Sequence, residues 1–297
     1  MGILKNINHY LSLIKFSHTV FALPFALMGF VLGVLEVNNG VFSLDWFLNN
    51  GSLFIKVLLC MVFARSAAMA FNRYLDRKFD ALNPRTAQRE VPAGIISPTQ
   101  ALVFTLVNCL LFIATTYFIN TTVLFLSPVA LLVILFYSYT KRFTSLCHLV
   151  LGLGLSLSPI GAFLAVTGTF KLLPILLSIV VFTWVSGFDI IYALQDEAFD
   201  RAQKLHSIPA AIGAKNALMV SNILHLACFL LVVTVGYVGG FHSLFWVGAG
   251  IFSYLLLHQH LLVKPHDLSK VNMAFANTNG IASILFSCFS ILSFITQ

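Results

Sequence analysis

Apolar residues run through this 297-residue chain in blocks that are too long and too continuous for the half-buried helices of a soluble core. Windows of about 20 apolar residues fall at roughly 17–35, 52–72, 99–117, 121–138, 147–167, 172–192, 217–237, 243–262 and 273–295, each long enough to cross hydrocarbon as a helix. In lipid the backbone must satisfy its own hydrogen bonds, so the pattern predicts an all-α polytopic membrane protein with nine transmembrane helices in a single domain over residues 1–297. Only Phe118, Ile119 and Asn120 separate the third window from the fourth. The first window carries Pro24 and no small-residue cleavage pattern follows it, so it reads as a retained span and not as a signal peptide.

Composition supports this reading and narrows it. The chain is 59% hydrophobic and 9% charged, with a mean hydropathy of +0.94, against roughly 25% charged residues in an average soluble domain. Cys60, Cys109, Cys147, Cys228 and Cys288 lie singly in apolar runs without C-x-x-C spacing, which excludes a disulfide framework and a soft-metal site. The net charge of +7 comes from Lys and Arg that flank the apolar windows, so it points to membrane topology and anionic headgroups and not to nucleic acid. Lys5 and Lys15 precede the first span. Arg73, Arg77, Lys78, Arg85 and Arg89 fill the second connection, Lys141 and Arg142 the fourth, Arg201, Lys204 and Lys215 the sixth, and Lys264 and Lys270 the eighth. The odd connections hold little beyond Lys56 and Lys171, so the positive-inside rule places the even connections and the amino terminus in the cytoplasm.

Two stretches interrupt the oil. NRYLDRKFDALNPRTAQREVPAG, Asn72 to Gly94, follows the second window, and GFDIIYALQDEAFDRAQKLHSIPAAIG ends the sixth. Seven of the ten acids, Asp76, Asp80, Glu90, Asp189, Asp196, Glu197 and Asp200, fall within them. Asn72, Asp76 and Asp80 are spaced i, i+4 and i+8, which puts three oxygens on one face if the helix continues, and Asn83-Pro84 then ends it. Asp189, Asp196 and Asp200 are spaced by seven and four, with Tyr192 among them, and on a continuous helix would also share a face. Both stretches stand at the cytoplasmic end of an apolar helix before a basic loop, four helices apart, a spacing that hints at a duplicated four-helix unit.

Carboxylates gathered at one membrane level repel each other and need a compensating cation. Carboxylate and amide oxygens favour Mg²⁺, which usually binds through one or two carboxylates plus substrate phosphates. Arg85, Arg89, Lys141, Arg142, Arg201 and Lys204 supply cations for the remaining phosphate oxygens, and together these groups describe a diphosphate clamp. A site facing lipid suits a polyprenyl diphosphate, whose head stays at the interface while its tail enters hydrocarbon along the many Phe side chains.

NRYLDRKFD with NPRT, and DIIYALQDEAFD with LHSIP, resemble the paired aspartate-rich motifs of the UbiA family of intramembrane prenyltransferases. LIKFSHTVFALPFALMG, from Leu13 to Gly29, and YSYTKRFT, from Tyr137 to Thr144, resemble its amino-terminal and fourth-helix signatures, and the likeness covers nearly the whole chain. The resemblance implies nine helices around a central cavity in the bacterial inner membrane, with the site facing the cytoplasm. It also implies Mg²⁺-assisted loss of diphosphate from a polyprenyl donor and attack by an aromatic acceptor in quinone biosynthesis, 4-hydroxybenzoate or a naphthoate of the menaquinone pathway. Asn72, Asp76, Asp196 and Asp200 would be the main metal ligands, with Asp80 and Asp189 in or just behind that shell. Asp76, Asp189 and Asp196 would be catalytic, Asp189 as a candidate proton acceptor. Tyr137, Tyr139 and Tyr192 would face the allylic cation. The chain departs from the family twice: Arg73 replaces an aspartate, adding a cation within reach of the phosphates, and Lys204 stands where a glycine commonly precedes the LHS-like triplet. His18 is a further polar residue of the amino-terminal signature, more in keeping with a structural role than with substrate contact. The competing class is a cation or proton-coupled transporter, but transporters place such acids near the midplane on broken helices, whereas here they gather at one helix-end level.

Overall fold

The computed structural model describes residues 9–13 and 21–296. His18, Lys5, Lys15 and the beginning of the first apolar window lie outside the described residues. The helices are α1 (Leu23–Val37), α2 (Leu44–Asn49), α3 (Gly51–Leu82), α4 (Pro98–Tyr117), α5 (Thr121–Thr140), α6 (Cys147–Thr167), α7 (Leu172–Ala193), α8 (Glu197–Ala202), α9 (Ile208–Gly239), α10 (Ser243–Leu262) and α11 (Asn279–Ile295). A 3₁₀ turn, Leu194–Asp196, joins α7 to α8, and a π-helical turn, Met273–Thr278, leads into α11; no strand forms among the described residues.

Local sequence explains most of the boundaries. The Asn120 side chain accepts from the Val123 N–H at 3.0 Å and starts α5 only three residues after α4 ends, as the short break predicts. Ser97 and Gln100 form a reciprocal capping box in front of α4, with Pro98 in its first turn. At the end of α3 the residue before Pro84, Asn83, is extended with ψ 117°, because proline disfavours the helical region there. Gly213 interrupts α9 with φ 79° and ψ 161°, a backbone conformation open to glycine, so the short segment 208–212 bends away from the long apolar helix that follows.

Seven helical stretches among the described residues are long and apolar enough to cross a membrane: α3, α4, α5, α6, α7 through α8, α9, and the π turn with α11. The other two windows are helices as well, but α1 is described over 15 residues and α10 carries the polar turn His258-Gln259-His260. Length and composition therefore mark seven candidate crossings among the described residues, and the count of nine is not confirmed. Leu110, Phe125 and Leu132 expose 68%, 75% and 68% of their surface on the flanks of α4 and α5, as side chains facing acyl chains do.

The centre of the bundle is α7, packed between α6 and α9. Trp184 is fully buried against Phe25 of α1, Phe188 and Phe252 of α10, at ring separations of 5.2, 5.1 and 5.7 Å. Its indole N–H donates to Asn279 Oδ1 of α11 at 3.0 Å, since a buried indole needs an acceptor. Lipid is as apolar as a leucine, so close backbone approach and such polar contacts hold the helices together. Gly29 of α1 lies so near α6 that a Cβ would sit 2.0 Å from the Pro159 carbonyl oxygen. Gly29→Val must force these helices apart, at a cost of about 1–3 kcal/mol. A clear fall in the thermal unfolding midpoint in detergent is expected; an unchanged midpoint would show that the contact is not tight.

Candidate active site

The first acidic motif occupies the last turns of α3, which runs unbroken to Leu82. Asn72 Nδ2 donates to Asp76 Oδ2 at 2.9 Å, as side chains one turn apart should. Asp76 Oδ1 accepts from Arg142 at 2.9 Å, and the same guanidinium donates to the Leu75 and Ser138 carbonyls at 3.1 and 2.7 Å. Arg142 thereby fastens the end of α5 to α3. Asp80 is buried and takes Arg89 at 2.7 Å across the loop that follows.

The second motif is not one continuous helix. The tighter 3₁₀ turn at Leu194–Asp196 rotates the chain relative to α-helical spacing, so the expected common face of Asp189, Asp196 and Asp200 is divided. Asp196 turns toward the first motif: Asn83 Nδ2 reaches its Oδ1 at 3.0 Å and Arg85 Nε at 3.1 Å. A second nitrogen of Arg85 donates to the Tyr192 hydroxyl at 3.1 Å, and its guanidinium lies 5.5 Å from the centre of that ring. Asp200 is fully buried, paired with Lys141 at 2.9 Å and accepting from Ser207 at 2.8 Å. Burial works against the Lys141 ammonium, but the adjoining Asp200 outweighs it and holds the lysine pKa above its ordinary value. The Lys141 carbonyl accepts from the His206 N–H at 2.7 Å. Neighbouring residues of one loop thus hold both motifs, Lys141 the second and Arg142 the first.

Asp189 points elsewhere, into a buried pair with His148 of α6. Ile208 N–H donates to His148 Nε2 at 3.3 Å, so Nδ1 carries the proton given to Asp189 Oδ2 at 2.7 Å. Asp189 Oδ1 is left without a hydrogen-bond partner among the described residues.

The other candidate residues divide. Tyr137 is half-buried, whereas Tyr139 is 44% exposed and approaches the cluster through the Arg142 guanidinium, 5.6 Å from its ring. Arg73 is buried, with Nη1 donating to Asn72 Oδ1 at 3.3 Å and Nε without a partner among the described residues. Lys204 makes no ion pair among the described residues; it sits at φ 54° after α8, and its side chain is exposed. A left-handed backbone at this position accounts for the glycine that the motif comparison anticipates there. Lys204 thus occupies a turn position, with its ammonium outside the ion pairs of the two motifs. Arg201 spends its charge on Glu197 at 3.0 Å, and Glu90 accepts from Ser12.

Sequence reasoning passed over His148 and Arg65. Arg65 lies mid-way along α3, seven residues before Asn72 and so on the same helical face, and its Nε has no partner among the described residues. An arginine inside an apolar span is costly, and that was the available signal.

The donor chemistry fits Mg²⁺ in a particular way. Among the described residues no three His, Cys, Asp or Glu side chains converge as an all-protein cage would require. Asp76 and Asp196 instead keep partial access at 24% and 11% side-chain exposure, each with an arginine at the carboxylate where a cation would sit. This suits an ion completed by phosphate oxygens. Asp80 and Asp200, the other two expected ligands, are paired with Arg89 and Lys141 at 9% and 1% side-chain exposure.

A family model described as the UbiA prenyltransferase family matches residues 22–284. The chain is 29% identical over 245 residues to the 4-hydroxybenzoate octaprenyltransferase of Yersinia enterocolitica, covering 81% of this chain and 85% of that one. It is also 29% identical over 223 residues to the protein of the same name from Tolumonas auensis, covering 75% and 78%. The apo structure of a UbiA homolog from Aeropyrum pernix K1 superposes with a TM-score of 0.80 at 31% identity, over 93% of this chain and 97% of that one. A UbiA homolog from Archaeoglobus fulgidus bound to DMAPP and Mg²⁺ has the same fold, with a TM-score of 0.72 at 21% identity over 97% and 99% of the two chains. The family match runs from α1 into α11 and takes in both acidic motifs and the loop that joins them; the chain is an integral membrane protein of the UbiA prenyltransferase family.

Proposed function

We propose that this chain transfers a polyprenyl group from its diphosphate to an aromatic acid, with 4-hydroxybenzoate the favoured acceptor and a naphthoate the runner-up. The observation that carries the reading is the contact between motifs, Asn83 and Arg85 of the first holding Asp196 of the second at 3.0 and 3.1 Å. Membership in a prenyltransferase family displaces the transporter alternative. The names of the relatives support the acceptor, and the DMAPP and Mg²⁺ of the Archaeoglobus fulgidus homolog support the donor and the ion. The basic loops share the level of both motifs, which favours a cytoplasmic site in a bacterial inner membrane.

In this reading Asn72, Asp76 and Asp196 hold Mg²⁺, which when bound supplies charge to stabilise the departing diphosphate. Arg85, Arg142 and Lys141 exchange their carboxylates for phosphate oxygens as substrate arrives, while Arg89 and Arg73 add positive field behind them. Asp80 and Asp200 position Arg89 and Lys141. Tyr192 and Tyr137 present aromatic faces to the allylic cation formed as the C–O bond breaks. The ring carbon of the acceptor attacks that cation, and Asp189 Oδ1, oriented by His148, takes the ring proton. Arg65 pairs the acceptor carboxylate, since a guanidinium in a low-dielectric interior favours an anionic partner.

Three outcomes are expected of the purified protein assayed with a polyprenyl diphosphate and 4-hydroxybenzoate. Asp76→Ala and Asp196→Ala each abolish transfer although the chain still inserts; full activity in either removes that residue from the ion's ligands. Arg65→Ala raises KM for the aromatic acid roughly 10- to 100-fold, the value of a charge-assisted hydrogen bond, and spares KM for the diphosphate. Equal changes in both would place Arg65 elsewhere. Asp189→Asn lowers kcat by about 10²- to 10⁴-fold with little change in either KM, and an unchanged kcat would rule Asp189 out as the proton acceptor. Product chromatography with a dihydroxynaphthoate in place of 4-hydroxybenzoate separates the two acceptors.

A further inference from the structure

Away from the acidic motifs, α9 and the end of α10 flank an open cavity of about 280 Å³. Its polar lining is Lys215, Asn216 and Asn222 from α9, and His260 and Lys264 at the end of α10, with no carboxylate among the lining residues. Lys215, Met219 and Asn222 follow at i, i+4 and i+7 on one face of α9, while His260 lies in the last turn of α10 and Lys264 just past its end. Neither lysine enters an ion pair among the described residues. The nearby Asp267 turns its side chain to Ser269 at 2.6 Å.

His260 is held from behind by a directional chain of hydrogen bonds. The Trp184 carbonyl can only accept, so His225 Nε2 donates to it at 3.2 Å and His225 Nδ1 is left as an acceptor. With no carboxylate against either ring the pair is neutral, and His260 Nε2 donates to His225 Nδ1 at 2.7 Å. The remaining His260 Nδ1 is then a buried lone pair with no partner among the described residues, on a side chain that lines the cavity. The cavity thus offers two free ammonium groups and two amides near its mouth and one acceptor that lacks a donor. A complementary ligand carries negative charge and a hydroxyl.

The flanks of the cavity select the rest of the ligand. Met219 and Ile223 of α9 expose 57% and 61% of their surface, and Leu257 and Leu261 of α10 each 59%, in two apolar stripes that lead away from the polar groups. A free phosphate leaves those stripes uncovered; acyl chains cover them. The volume suits a headgroup and not a whole lipid. We infer that the cavity between α9 and α10 binds an anionic glycerophospholipid with a hydroxylated headgroup, its phosphate on Lys215 and Lys264 and its hydroxyl donating to His260 Nδ1.

The full-length protein, purified and delipidated in a neutral detergent, tests this by native mass spectrometry with phosphatidylglycerol, phosphatidylcholine and phosphatidylmethanol. One phosphatidylglycerol is expected to stay bound, in preference to phosphatidylcholine, and millimolar inorganic phosphate does not displace it. Lys215→Ala with Lys264→Ala lowers its affinity roughly tenfold or more, in keeping with the pull of an anionic headgroup on each lysine. Lys270→Ala, at an exposed lysine outside the cavity, leaves it unchanged. His260→Ala weakens phosphatidylglycerol but not phosphatidylmethanol, which lacks the hydroxyl. Equal binding of phosphatidylcholine, displacement by phosphate, or an equal loss in Lys270→Ala overturns the inference. Equal loss of both anionic lipids in His260→Ala removes the hydroxyl contact. The lysines are exposed, so their variants leave the core intact.

Discussion

Carboxylates in a hydrocarbon-walled bundle need compensation, and here the chain supplies cations to four of them from neighbouring loops. Arg142 serves Asp76, Arg85 serves Asp196, Arg89 serves Asp80 and Lys141 serves Asp200. Leaving any one of these charges buried and unpaired costs several kcal/mol. The pairing therefore fixes where α3, α5, α7 and α8 end relative to one another. It also stores the functional groups in a ready state, since a guanidinium that satisfies a carboxylate has the fork geometry to grip a phosphate. Stability in the resting protein and affinity for a diphosphate draw on the same nitrogen atoms.

The rest of the bundle makes that arrangement rigid. α7 carries Trp184 and Asp189 two turns or less apart, so the aromatic core and the polar end form one unit. Its Ser186 and Gly187 admit α6 and α9 closely, with the Ser221 hydroxyl donating to the Gly187 carbonyl at 2.7 Å. At the far end Lys171 and Glu36 pair at 2.8 Å on an otherwise charge-poor surface. This asymmetry between the ends is what positive-inside topology describes.

Much of this was legible in the sequence. The apolar windows mark the helices because lipid tolerates little else, and the i, i+4, i+8 spacing of Asn72, Asp76 and Asp80 places them on one face because α3 runs through them. The second motif misled because spacing by seven and four presumes 3.6 residues per turn, whereas Leu194–Asp196 winds tighter and parts Asp189 from Asp196. Lys204 reads as another cation in a basic loop, and its positive φ adds a turn position that residue type does not signal. His148 and Arg65 stood alone in apolar sequence, where a single polar residue has no partner to read. Their meaning depends on which helix lies opposite, and that is a property of the packing. The count of nine spans is not confirmed by length and composition, which weigh Gln259 and His260 of α10 as polar although both take part in interior hydrogen bonds and His260 lines a cavity.

The exchange of carboxylate for phosphate on Arg85, Lys141 and Arg142 is the centre of this account, and it has a thermodynamic signature. When those cations turn to a diphosphate, Asp76 and Asp196 lose their compensation and must gain a divalent ion. Calorimetric titration of the delipidated protein with a non-reactive polyprenyl thiodiphosphate, with and without Mg²⁺, measures that coupling directly. The account predicts that chelating the ion weakens binding by roughly 100-fold or more, the equivalent of about 3 kcal/mol. Equal affinity in the presence and absence of Mg²⁺ would contradict it.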